Sequence, residues 1–128
     1  MIDYVKVNKN FKNKKTGDCV VRALSTASGK DYKQVAKELF EIYMKYGYII
    51  NDKHCYERWL DENGFIKRPQ PRKWDNTKYL IGEIEELIDE DCKVIVSCAN
   101  HLTCVVDLTL LDIWDCRKKC IGNYYVKK

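Results

Sequence analysis

Long apolar runs are missing from this chain of 128 residues. The longest, Val94-Ile95-Val96 and Leu108 to Ile113, are strand-sized and broken by polar residues. Neither approaches the ~20 residues that a membrane-spanning helix needs, so no membrane partner is expected. Proline and glycine are scarce, at 2 and 6 residues. With apolar residues recurring throughout, that scarcity argues against a globally disordered chain. Low-complexity tracts, internal repeats and long linkers are also absent, so residues 1–128 read as a single domain. The opening MIDYVKVNKNFKNKK has a basic section with no apolar segment behind it and does not read as an export signal. A cytoplasmic location is the corresponding expectation. Histidine is rarest in chemical terms. Only His54 and His101 can supply an imidazole.

Charge and cysteine are plentiful. The net charge of +4 comes from 23 basic and 19 acidic residues, and the basic ones gather near both ends and around Lys67-Arg68 and Arg72-Lys73. Such groups read first as solvated loops. No nucleic-acid-binding motif accompanies them, so a nucleic-acid partner is not expected. The seven cysteines, at 19, 55, 92, 98, 104, 116 and 120, read as free thiols of a reducing compartment, most of them buried as small hydrophobes.

Periodicity places helices first and strands last. Tyr4 to Val7 reads as a strand or extended arm. Val20, Ala23, Leu24 and Ala27 then form a helical stripe that Gly29 ends. Asp31 with Gln34 is a capping-box pattern opening a second helix to Gly47. Asn51-Asp52 opens a third that stops at Asn63-Gly64. FIKRPQPRKWDN holds both prolines and reads as a surface connection. Thr77 is placed to cap a fourth helix through Leu80, Ile81, Ile84, Leu87 and Ile88. KVIVSC, HLTCVVDL, LLDIWD and NYYVKK read as strands. The sum is an α+β fold, with N-terminal helices packed on a C-terminal antiparallel sheet.

Cys19 carries the most chemistry. It stands at the first turn of the first helix, where unpaired N–H groups and the helix dipole favour a thiolate. Asp18 beside it raises the thiol if it faces the sulfur, or caps the helix if it does not. A useful thiol nucleophile also needs a base. His54 sits in a polar helix start, whereas His101 opens a strand that a fold can bring back to the helix terminus. The imidazole in turn needs an orienting carboxylate on its other nitrogen. Asp115, ending LLDIWD, is the first choice, with Asp112 and Asp107 as rivals, because the pairing register is open. Trp114 is placed to shield the pair from water.

This order of a helix-start cysteine, a strand histidine and an acidic residue on the next strand resembles the papain-like cysteine peptidase superfamily. The segment GDCVVRAL is particularly similar to small bacterial and phage members related to bacteriocin-processing, C39-like peptidases. The resemblance spans nearly the whole chain in element order and implies a papain-like fold. It assigns Cys19 as nucleophile, His101 as general base and acid, and Asp115 as the orienting residue. It also implies an amide side chain upstream that helps form an oxyanion hole: Asn13, with Asn10 behind it. The implied activity is hydrolysis of a peptide, isopeptide or amide bond in a protein or peptide substrate, with no cofactor and no metal.

Two other readings stand beside it. Cys98, His101 and Cys104 with Cys116 or Cys120 are zinc-ligand types, but C-x₂-H-x₂-C followed by C-x₃-C is not the usual paired spacing. Strand alternation also sends His101 and Cys104 to opposite faces. The non-enzyme reading is a catalytically inactive relative that docks on a host or bacterial protein through Tyr43, Tyr46, Tyr48, Trp74, Tyr124 and Tyr125.

Overall fold

The computed structural model describes residues 1–128 as a mixed α+β fold. Strand β1 (Asp3–Lys6) precedes helices α1 (Cys19–Ser28), α2 (Tyr32–Tyr46) and α3 (Lys53–Glu62). Strand β2 (Ile66–Arg68) and a 3₁₀ helix (Ile81–Glu86) follow. Strands β3 (Lys93–Cys98), β4 (His101–Val106), β5 (Thr109–Asp112) and β6 (Tyr124–Lys127) complete the chain. The six strands form one open sheet in the order β1-β5-β4-β3-β6-β2.

Helix α1 forms because its apolar residues recur on one face and a glycine stands where it must stop. Val20, Ala23, Leu24 and Ala27 are all buried, and Gly29 ends the helix in the left-handed region at φ 76°. That stripe packs with Ile95, Leu102, Cys104 and Tyr125 in a core shared with α2 and α3. Each fully buried residue of the size of Leu24 contributes roughly 1.5–3 kcal/mol. The N-terminus of α1 is therefore fixed against the start of β4. Alternation along the strands sends Val94, Val96, Cys98, Val105 and Leu110 to a second core on the other face, with Ile84 and Cys116.

Several local expectations are corrected. The sheet is not wholly antiparallel: β1 pairs in parallel with β5, Tyr4 opposite Leu110, because the long helical excursion lets the chain return in the same direction. The proline-bearing connection contributes β2, an edge strand on β6. The fourth α-helix is only a 3₁₀ helix, since the Ile81 and Gly82 N–H groups bond to the Lys119 and Arg117 carbonyls. Thr77 does not cap it; its hydroxyl donates to Asp75. Asp31 caps α2 through the Lys33 N–H, but Gln34 turns outward to Glu38, so no capping box closes. Asp52 caps α3 through the His54 N–H.

No helix is long and apolar enough to cross a membrane.

Candidate functional site

Cys19, the first residue of α1, and His101, the first residue of β4, meet at one end of the sheet. They line a cleft of about 480 Å³ with Gly17, Asn51, Lys53, Tyr56, Ser97 and Asn100. The tight turn Ala99-Asn100, both at positive φ, joins β3 to β4 and sets His101 opposite Cys98. Ring atom Nε2 of His101 donates to Asp112 Oδ2 at 2.6 Å. The remaining nitrogen, Nδ1, is left for the Cys19 thiol, which lines the same cleft and on whose pKa the strongest lowering influence is His101. Trp114 packs edge-on against the imidazole, with centroids 5.0 Å apart.

The electrostatics support an ion pair. Burial pushes the Cys19 thiol up, but hydrogen bonds from His101 and the Leu102 backbone, and the charges of His101 and Arg22, bring it below the ordinary thiol value. Burial pushes the His101 imidazole down, yet its bonds to Asp112 and Cys19 raise it to about 9. Asp112 is likewise raised by burial and lowered more by its hydrogen bond and charge interaction with His101 and by the Ile113 N–H, which leaves it below the usual carboxylate range. These opposite shifts of Cys19 and His101 both favour a thiolate–imidazolium pair beside the Asp112 carboxylate.

Asp115 is not the imidazole's partner. Strand β5 ends at Asp112, whose Oδ1 accepts the Ile113 N–H, and the chain then turns away. Asp115 sits in that turn, exposed, with both carboxylate oxygens on the Arg117 guanidinium. Asp107 lies in the β4–β5 turn at positive φ. The rival Asp112 is therefore the residue that the register brings to His101.

Asn13 is also displaced from the expected place. It is exposed at φ 54°, its side chain accepts from Asn8 at 3.4 Å, and it does not line the cleft. Asn10 shapes the preceding loop instead, accepting the Lys12 and Lys14 N–H groups and donating to Asp18. An amide does line the cleft, that of Asn51, which donates to the Gly17 carbonyl at 3.0 Å and keeps a second N–H.

Asp18 neither faces the sulfur unpaired nor caps α1 through its side chain. Its carboxylate accepts from Arg22 Nε at 2.7 Å, Tyr32 Oη at 2.7 Å and Asn10 Nδ2 at 2.9 Å. Burial raises its pKa, and these three donors outweigh that and lower it. The same Arg22 donates through Nη1 to Asp112 Oδ1 at 3.1 Å. One buried guanidinium thus joins the neighbour of Cys19 to the partner of His101. Arg22 is the functional residue that sequence reasoning misses. Its only signal is a charge within an apolar helix, four residues after Asp18, the spacing of a helical ion pair.

Cys104 lies on the opposite strand face from His101, donating to the Leu111 carbonyl, which takes it out of any shared ligand set. His54 is exposed and bonds to Asp52. All seven cysteines are free thiols. Comparison with protein-family models, with curated proteins and with solved structures found no match for this chain.

Proposed function

We propose that this chain is a papain-like thiol hydrolase acting on a peptide, isopeptide or amide bond. The observation that carries the reading is the alignment of Cys19, His101 and Asp112 at the mouth of an open cleft. In this mechanism the Cys19 thiolate attacks the substrate carbonyl and His101 protonates the leaving amine from Nδ1. Water then enters, His101 takes its proton, and the thioester opens to release the acid. Asp112 holds the ring so that Nε2–H is fixed and Nδ1 faces the sulfur. The Cys19 N–H, at the first position of α1 and without an intrahelical partner, and the spare N–H of Asn51 in the same cleft supply donors for the developing oxyanion.

Mapping cleavage of a proteome-derived peptide library by mass spectrometry tests this. Cleavage by the wild type that is lost in a folded Cys19→Ala variant supports the reading, and cleavage retained by Cys19→Ala overturns it.

A second reading is a docking module without turnover. It draws on the exposed Phe40, Met44, Tyr48 and Ile49 of α2 and the loop after it. An ordinary, unactivated Cys19 thiol is what distinguishes that reading.

A further inference from the structure

The imidazole and carboxylate of the site face a second group of donors that the hydrolase reading does not use. Cys116, 1 % exposed, lies on the far side of the sheet from Cys19, in the core built by Val94, Val105 and Leu110. One ligand atom each from His101, Asp112 and Cys116 lies within 4.8 Å of the others. The thiol of Cys98, which is paired across the ladder with His101, lies against that of Cys116. Thr103 stands on the same strand face beside Asp112 and Cys116. Its hydroxyl is buried, 1 % exposed, and is the one buried side-chain polar atom without a hydrogen-bond partner.

We infer that His101, Asp112 and Cys116, with Cys98 as the fourth donor, form a zinc-binding site that switches the catalytic imidazole off. Imidazole, thiolate and carboxylate are the donor types zinc takes, at about 2.0–2.3 Å, which puts tetrahedral donors roughly 3.3–3.8 Å apart. The His101 Nε2–Asp112 Oδ2 pair, 2.6 Å apart, opens to admit the ion, and the three donors, all within 4.8 Å of one another, are otherwise close to that geometry. Coordination releases the Cys116 and Cys98 thiol protons and the His101 Nε2 proton to solvent, and the metal supplies the charge that keeps the thiolates buried. An orphaned hydroxyl at the same spot is placed to hydrogen-bond a bound carboxylate or thiolate. The open side of the site is the one where the His101 side chain, 15 % exposed, meets the exposed Trp114.

The switch follows from the two ring nitrogens and rests on the thiol-hydrolase reading. With Nε2 on zinc, a neutral imidazole carries its proton on Nδ1. It can then no longer accept the Cys19 proton.

Cobalt(II) titration of the reduced, full-length protein tests the site, because cobalt–thiolate bonds absorb in the near ultraviolet. Wild type and Cys19→Ala are expected to bind one cobalt per chain with that band, and zinc displaces it. The isosteric Cys116→Ser is expected to lose the Cys116 share of the band, about half of it, and to bind at least about 100-fold more weakly, beyond what supporting residues usually cost. Zinc is expected to slow iodoacetamide labelling of Cys19 in the wild type and to leave Cys116→Ser labelling unchanged. No band in the wild type overturns the site. A band lost in Cys19→Ala but kept in full in Cys116→Ser also overturns it, by placing the metal on the open Cys19–His101 pair. The band does not require Cys19 to react, so an inert Cys19 with intact cobalt binding would sink the hydrolase reading and leave the metal site standing.

Discussion

Arg22 Nη1 lies 3.1 Å from Asp112 Oδ1, and both side chains are buried, at 6 % and 4 % exposure by residue. The contact spans the interface between α1 and β5, and the same guanidinium holds Asp18, the residue before Cys19. Cys19 and His101 come from opposite halves of the sequence, so their relative position depends on such a tie. An isolated buried ion pair is often no more stabilising than apolar packing, but removing one member strands the other charge.

Arg22→Met is therefore expected to cost about 3–5 kcal/mol, by leaving the buried Asp18 carboxylate without a cation and Asp112 with His101 alone. Arg22→Lys is expected to be destabilised as well, because a single ammonium cannot make the forked contact to both Asp18 and Asp112. Urea unfolding monitored by far-ultraviolet circular dichroism measures both. Wild-type stability in Arg22→Met would contradict the role given to this contact.

Asp112→Asn is expected to lower the His101 pKa from about 9 toward or below the ordinary histidine value, because a charged acceptor is replaced by a neutral amide. Asp115→Asn is expected to leave it unchanged, since Asp115 is engaged by Arg117. The imidazole proton resonances, followed by NMR against pH, separate the two. An equal shift in both variants would refute the assignment of Asp112.

Much of this site is legible in the amino-acid sequence alone. The helix start at Cys19 is legible because the Val20–Ala27 stripe has a clear helical period and Gly29 ends it. His101 is legible because only two imidazoles exist and His54 sits in a polar helix start. The choice between Asp112 and Asp115 is not, because it turns on where β5 stops. The apolar pattern of LLDIWD continues past Asp112, while a bond from the Ile113 N–H to the Asp112 side chain ends the ladder there. The expectation for Asn13 fails for a related reason: proximity in sequence says nothing about a loop folded back on Asn8. The parallel pairing of β1 with β5 depends on residues about a hundred positions apart, beyond any local period.

Stability should depend on pH in a window set by these groups. The folded-state pKa of His101 is raised, so its contribution is complete below the unfolded value of about 6.5 and fades as pH rises toward about 9. Asp18 and Asp112 are depressed, so their contributions hold above about 3.9 and disappear as pH falls through their lower folded values. Cys19, an acid with a lowered folded value, acts with the opposite sign to His101 and offsets part of its loss. Cys19→Ser removes that offset. Its unfolding midpoint is expected to be highest between about 4 and 6.5 and to decline on either side. A midpoint that rises from pH 6.5 to 9 in this variant would contradict the His101–Asp112 assignment.

Gly122→Ala tests the cleft wall. A Cβ at this position meets the Ser97 carbonyl oxygen at 2.8 Å, and the Gly122 N–H donates to that same oxygen at 2.7 Å. The obstacle is backbone, so the substitution is expected to cost about 1–3 kcal/mol and to shift Ser97, which lines the cleft. Denaturant unfolding reads the cost, and unchanged stability would show that this close approach can relax.

The most direct test of the central claim is the pH dependence of iodoacetamide alkylation, resolved by cysteine with mass spectrometry, in the wild type and in His101→Ala. The thiolate–imidazolium pair predicts that Cys19 reacts far faster than the other six cysteines below pH 7, and that His101→Ala abolishes this advantage. A Cys19 that titrates as an ordinary thiol in both proteins would contradict the account.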